Sequence, residues 1–328
     1  MQRGILAGKH KLSGVRAMFM GKEQIWDIHD ATLEVLQQRG LAICCPQALE
    51  LMAEIGAEVD FVNQMVRIPP YLVEDAVSSA PAQVLLAGRY PQYDVLLGGG
   101  GVHYTTFGAG ARVIDPETNR YYESTRQDVA NTALLCDALD NVAIYSSAVV
   151  ARDMPHDLAE LYEAEAFLTN TAKHCQHLHL SSGLGARKFI EMGMLISGSQ
   201  ESFRKRPSIS AQVCPVAPLQ LQKGTCELIM EAASAGMPIN VLSMGMAGAT
   251  APVTLAGALV VHNAEVLGSL VLHQAVVKGA PFIYGSSTTT FDLYMLTAPV
   301  GSPEMALISA AVAELAKFYL LPSYVSGT

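Results

Sequence analysis

The stretch that decides the fold runs from Ile239 to Ser286. Ile239-Asn240-Val241-Leu242-Ser243-Met244-Gly245 is a short apolar run ending in small residues. Pro252 to Val277 follows as a long apolar helix, and Phe282-Ile283-Tyr284-Gly285-Ser286 is a second short run. Strand, covering helix and next strand make a parallel β/α unit. The same rhythm extends backward from there. Strands are predicted at Val102–Phe107, Val142–Val150, Cys175–Ser181 and Ser208–Cys214, and helices at Thr125–Leu139, His156–Thr171, Leu184–Ile196 and Pro218–Ala235. Forward, Pro303–Phe318 is a helix and Leu321-Pro322-Ser323-Tyr324-Val325-Ser326 enters a seventh strand. A doubly wound sheet and a (β/α)8 barrel both fit this alternation. No G-x-G-x-x-G follows the first strand, which favours the barrel. Closure needs eight units and six are counted, so the expectation is an incomplete TIM-type barrel with exposed sheet edges.

Residues 1–97 have a different pattern and are expected to form a small α+β extension, with 98–328 the partial barrel. Ile28–Arg39 and Pro46–Gly56 are helices, Ala57 to Pro69 is a hairpin turning near Asn63-Gln64, and Tyr71–Ser79 is a third helix. The Gly98–Gly101 run marks the boundary. The chain has 328 residues, 50% hydrophobic and 16% charged, with a net charge of −9. That composition excludes disorder, and its acidity argues against nucleic acid as a partner. The six cysteines lack zinc-finger spacing and are read as reduced, in a cytoplasmic protein. No continuous apolar segment opens the chain, so no secretory signal is expected. His262, Asn263, Glu265, His273 and Gln274 make the Pro252–Val277 segment a buried helix rather than a membrane span.

Chemistry concentrates in a few places. In His174-Cys175-Gln176-His177-Leu178-His179, Cys175, His177 and His179 share one strand face. Three neighbours on an extended strand converge poorly on one ion, so the run reads as polar lining near a barrel mouth, and no bound metal is expected. His262-Asn263-Ala264-Glu265 reads as a solvated or hydrogen-bonded helix face. Tyr284 to Asp292 passes from an apolar strand into a hydroxyl-rich loop, where a barrel places its chemistry. Tyr284 and Phe291 could wall an alkylammonium group and Asp292 complement its charge, or the Ser/Thr run could simply satisfy loop backbone groups. Cys214 has no base beside it in sequence, which weakens it as a nucleophile. Arg204-Lys205-Arg206 reads as a solvated turn.

Met246-Ala247-Gly248-Ala249-Thr250-Ala251-Pro252-Val253-Thr254-Leu255-Ala256-Gly257-Ala258-Leu259, Asn263-Ala264-Glu265-Val266-Leu267, Gly285-Ser286-Ser287 and Gly301-Ser302-Pro303-Glu304-Met305-Ala306-Leu307-Ile308 closely resemble the trimethylamine methyltransferase family. Ala48–Leu51, Gly56–Val59 and Val66–Pro69 do so too. The resemblance implies a (β/α)8 barrel with an N-terminal extension. It also implies methyl transfer from trimethylamine to the Co(I) of a corrinoid carried on a separate cognate protein, by an enzyme expected to be a homo-oligomer. In the family, Leu-Pro-Ser precedes an amber-encoded pyrrolysine, so Leu321-Pro322-Ser323 implies pyrrolysine at position 329, just beyond Thr328. The chain alone would then be an inactive N-terminal portion. Glu304, Asp292 and Tyr284 are the candidate proton donors, with Glu304 and Asp292 taken as the catalytic pair. Tyr284, Ser286, Phe291, Cys214 and His179 are the candidate substrate contacts. With an ordinary residue at 329, the substrate would instead be a quaternary amine such as glycine betaine. Cys214, where members often carry asparagine, favours a substrate without a carboxylate.

Overall fold

A computed structural model describes residues 18–106 and 108–326. The opening residues, Phe107 at the end of the first predicted strand, and Thr328 lie outside the described residues. Strands and helices alternate as expected: β1 (Tyr104–Thr105), α1 (Arg126–Ala138), β2 (Val142–Ser146), α2 (Ala159–Asn170), β3 (His174–His177), α3 (Gly183–Ser197), β4 (Ile209–Val213), α4 (Lys223–Ala235), β5 (Ile239–Ser243), α5 (Leu255–Val276), β6 (Phe282–Ser286), α6 (Pro303–Phe318) and β7 (Ser323–Val325). They fall into two compact units, residues 85–212 with 235–238, and residues 18–84 with 213–234 and 239–326. Residue 97 lies inside the first unit.

In the first unit the parallel strands lie in the order β1-β2-β3-β4, each beside its chain neighbour. No reversal of order occurs, and a doubly wound sheet requires one. α1 begins at Thr125, whose hydroxyl accepts from the Asp128 N–H while the Asp128 carboxylate returns a bond to the Thr125 N–H, a reciprocal cap. The other end of α1 is closed by Lys173. Its buried ammonium donates to the carbonyls of Cys136, Leu139 and Val142 at 2.6–2.7 Å, which satisfies the cation at the negative pole of the helix. Tyr145, Phe167 and Phe189, all fully buried, fill the space between sheet and helices. An antiparallel hairpin, Arg112–Ile114 with Tyr121–Glu123, sits between β1 and α1. It contains an exposed turn at Asn119 with φ 55°, and its short, exposed, mixed strands gave no alternation to read.

In the second unit β5-β6-β7 are parallel and again in chain order. α5 is the core of this unit. Its residues from Ala258 to Gln274 are buried apart from Val260 and Val261, and the N-terminal helices Lys22–Gln38, Pro46–Glu54 and Pro70–Ser79 pack against it. This helix is long and apolar enough to cross a membrane, but its apolar surface is covered by protein. The hairpin Glu58–Asp60 with Met65–Arg67 forms as predicted, turning through Gln64 at φ 55°. Leu41–Ile43 pairs with it on one side and with Gln220–Leu221 on the other, in parallel. Residues Pro218 to Gln222, predicted as the start of a helix, are therefore turn and strand, and α4 begins at Lys223. The predicted extension is thus joined to residues 220–221 by main-chain hydrogen bonds, a pairing that sequence periodicity does not register.

Candidate active site at the carboxyl ends of the strands

In the first unit the face of the sheet turned away from the helices is polar. The Thr105 hydroxyl lies 2.8 Å from that of Ser146, whose hydroxyl donates to Gln176 Oε1 at 3.0 Å, forming a ladder across β1, β2 and β3. His174 shares this face, with Nε2 2.8 Å from the Ser210 hydroxyl and Nδ1 3.1 Å from the Ala87 carbonyl. Strand alternation sends Cys175 and His177 to the opposite face, where His177 packs edge-on against Phe167 and Phe189. The predicted polar lining is thus His174 and Gln176. His177 belongs to the helix side, because side chains of a strand alternate and the aromatic residues of α2 and α3 cover that face.

His179 lies two residues past β3. Its Nε2 is 2.6 Å from Glu163 Oε2, and Glu163 Oε1 accepts from the Ala151 N–H at 2.7 Å. Glu163 is 2% exposed. Burial alone would raise its pKa, but the hydrogen bond and charge of His179 hold it below the usual carboxylate range. Burial pushes both His174 and His177 down to about 4, so both are neutral at pH 7.

The second unit carries another buried carboxylate. Glu265 on α5 is fully buried. Its Oε2 accepts from the Ser243 hydroxyl at 2.6 Å and its Oε1 from the Leu219 N–H at 2.9 Å. Those bonds lower its pKa, but burial outweighs them and the net shift is upward. Glu265 thereby ties the last residue of β5 to the loop that follows Cys214. Around it, Thr288 donates its N–H to the Ser286 hydroxyl at 3.2 Å and its hydroxyl lies 3.1 Å from His262 Nδ1, while Ser287 and Ser326 join hydroxyls at 2.9 Å. Gly285 faces Asn240 so closely that a Cβ would collide with it, so position 285 is restricted to glycine. Behind the sheet, the Tyr284 hydroxyl donates to Asn263 Oδ1 at 2.6 Å, and the Asn263 amide donates to Thr32 and Tyr319.

The seven residues predicted from sequence separate accordingly. Cys214 is half-buried directly after β4, Ser286 is the buried last residue of β6, and His179 follows β3. Phe291 is half-buried and its N–H donates to the Ala247 carbonyl at 3.0 Å, on the loop after β6. Tyr284 is elsewhere than the mouth, fully buried against α5, because its position in β6 points it to the helix side. The Asp292 carboxylate accepts from the N–H groups of Tyr294 and Met295 at 2.8 and 2.9 Å and so closes its own turn. Glu304 is exposed in the first turn of α6, where a carboxylate suits the positive end of a helix. Sequence reasoning passed over Glu163 and took Glu265 only as part of a helix face. A glutamate within the most apolar helix was the available signal, since such a group is buried only with partners. Of the two readings of His262–Glu265, the hydrogen-bonded face holds and the solvated one does not, because His262, Asn263, Ala264 and Glu265 are all at 0% exposure and His262, Asn263 and Glu265 are hydrogen-bonded.

Parallel strands in chain order, covered by helices, with hydroxyls at their carboxyl ends and buried helix carboxylates bonded to the loops there, define a TIM-type barrel scaffold. The crystal structure of the Methanosarcina barkeri monomethylamine methyltransferase MtmB shares the fold over 93% of this chain and 61% of its own, with a TM-score of 0.57 at 11% identity. Residues 10–328 match the family model for trimethylamine methyltransferase (MTTB), and the chain belongs to that family. It is 46% identical to trimethylamine methyltransferase MttB of Desulfitobacterium hafniense, covering 98% of this chain and 65% of that protein. It is 44% identical to MttB2 of Methanosarcina mazei, covering 100% and 67%. A glycine betaine methyltransferase of D. hafniense is 30% identical over 93% of the chain and 63% of its own length. The chain thus spans about two thirds of the length of these relatives.

Proposed function

We propose that the protein containing this chain removes a methyl group from trimethylamine or a close tertiary amine and passes it to the Co(I) of a corrinoid carried on a separate protein. The observation that carries the substrate choice is the identity of 46% to a trimethylamine methyltransferase against 30% to a glycine betaine methyltransferase of the same species. Small neutral side chains at the strand ends of the second unit, Ser243, Gly245, Ser286, Ser287 and Thr288, suit a compact, weakly polar amine. None of them matches the charge of a betaine carboxylate. Ser286 and Thr288 act as positioning groups, and Cys214, Phe291 and His179 remain the candidate substrate contacts. The corrinoid would supply a cobalt nucleophile, while the chain's own residues orient the amine and exclude water. The phrase Leu321-Pro322-Ser323, which resembles the family's pyrrolysine-preceding phrase, supports a pyrrolysine in the full-length protein, whose electrophilic ring imine would hold and activate the amine nitrogen.

The test uses the full-length gene product, its cognate corrinoid protein reduced to Co(I), and trimethylamine or glycine betaine as methyl donor. Formation of methyl-Co(III) is followed spectroscopically. Methylation with trimethylamine alone supports the reading, and methylation with glycine betaine alone replaces it by the quaternary-amine reading. A peptide spanning position 329, sequenced by mass spectrometry from the native protein, decides the pyrrolysine assignment.

A further inference from the structure

We propose that Glu163, His177 and His179 form a binding site for one divalent transition-metal ion of the zinc type, with two imidazoles and a carboxylate as ligands. The site shares His179 with the substrate contacts proposed above and otherwise rests on its own geometry. One ligand atom from each residue lies within 4.8 Å of those of the other two. The three come from different structural levels: Glu163 from α2, His177 from the last position of β3, and His179 from the loop beyond it. This removes the objection that neighbours along one strand cannot converge, because the chain turns after His177 and a helix supplies the third ligand.

Three further observations point to an ion rather than to a plain hydrogen-bonded pair. First, the ring of His177 is already set in the ligating tautomer. Its Nε2 lies 2.9 Å from the Glu160 carbonyl, which can only accept, so Nε2 carries the proton and Nδ1 keeps its lone pair. The contact found at that lone pair is a long 3.3 Å bond from the His179 N–H. Second, His179 Nε2, the atom that would ligate, already faces Glu163 Oε2 at 2.6 Å, and no hydrogen bond among the described residues engages its Nδ1 to fix the opposite tautomer. Third, the outer contacts are in place. The Ala151 N–H orients Glu163, and Phe167 and Phe189 flank His177 with centroids at 5.6 and 5.3 Å.

Two zinc ligands at ordinary bond lengths stand about 3.4 Å apart in tetrahedral geometry. The 2.6 Å contact between His179 and Glu163 must therefore open slightly, which the 31% exposed His179 side chain is free to do. Imidazole ligands select zinc, cobalt, nickel or copper over magnesium and calcium. Three protein ligands leave a fourth position for water or a small Lewis base, as in catalytic rather than structural sites. The ion would also pin the loop after β3 to α2, where Glu160 already accepts from the Ser181 N–H and hydroxyl at 2.8 and 3.0 Å.

The full-length protein, stripped with chelator, is titrated with Co2+ and followed by its visible ligand-field bands, with Zn2+ as competitor. The expected result is one tightly bound ion per chain with tetrahedral bands. Glu163→Gln and His179→Ala should each weaken binding by more than about 100-fold, beyond what loss of an outer contact costs. His156→Ala, with a fully exposed ring, should leave binding unchanged. Urea unfolding confirms that each variant is folded, and His179→Gln replaces His179→Ala if that variant does not fold. Absence of stoichiometric binding, or binding that survives both Glu163→Gln and the His179 variant, overturns the site and leaves a hydrogen-bonded Glu–His pair.

Discussion

Glu163 and Glu265 are both buried glutamates, each on a helix behind a parallel strand and each fixing a loop at the carboxyl end of that strand, yet their charges are managed in opposite ways. Glu163 faces an imidazole at 2.6 Å and an amide, and its pKa falls. Glu265 faces only a hydroxyl and an amide, and its pKa rises because those neutral donors do not replace the lost water. Burial is nearly the same in both, so the partner decides the sign. One unit keeps a carboxylate anion ready to pair with a cation, and the other keeps a carboxyl that holds its proton more tightly.

The largest effect tests the background shared by both units. His174 and His177 in the first unit titrate near pH 4 and His262 and His273 in the second near pH 3, all lowered by burial. The unfolded chain takes up these protons first, so stability should fall as pH drops from about 6.5 toward 4, by on the order of 1.4 kcal/mol per pH unit for each histidine. Urea denaturation across this range measures it, and a flat profile would show that these rings are charged or solvated in the fold.

Next, Glu265→Leu leaves the Leu219 N–H and Ser243 hydroxyl unsatisfied and should cost about 2–4 kcal/mol. Glu265→Gln keeps an acceptor for one and a donor for the other and should stay within about 1 kcal/mol at pH 7. Because the folded pKa of Glu265 is raised, its ionisation lowers stability as pH rises from the unfolded value through the folded one. Glu265→Gln should remove that decline. Glu163→Gln breaks a charge-assisted bond and should cost about 1.5–3 kcal/mol. The folded pKa of Glu163 is depressed, so its contribution is present above the unfolded value and lost as pH falls through the folded one. If the two Gln variants showed the same pH profile, the contrast between the carboxylates would fail. The smallest effect belongs to Ser287→Ala, which loses one half-buried hydroxyl contact and should cost under about 0.5 kcal/mol.

Much of the scaffold was legible. Phe282–Ser286 and Pro303–Phe318 have the predicted bounds, because β-branched and aromatic runs and a Ser-Pro helix start are local signals. Pro218 misled for the same reason, since it resembled a helix start but sits in a turn leading to the strand Gln220–Leu221. The candidate site was less legible. Asp292 and Glu304 attracted notice as charged residues by position, but Asp292 closes its own turn and Glu304 is exposed in the first turn of α6. Tyr284 was assigned to a wall of the site by its place in sequence, but strand alternation directs it toward α5.

The sequence by itself determined the alternation of elements, the parallel class and the family, because each rests on periodicity or on runs of adjacent residues. Only the tertiary structure decided which face each strand residue occupies and which distant group meets it. Glu163 meets His179 across 16 positions and Glu265 meets Leu219 across 46. Those separations carry no local signal, and a buried carboxylate takes its charge state from the partner that folding delivers.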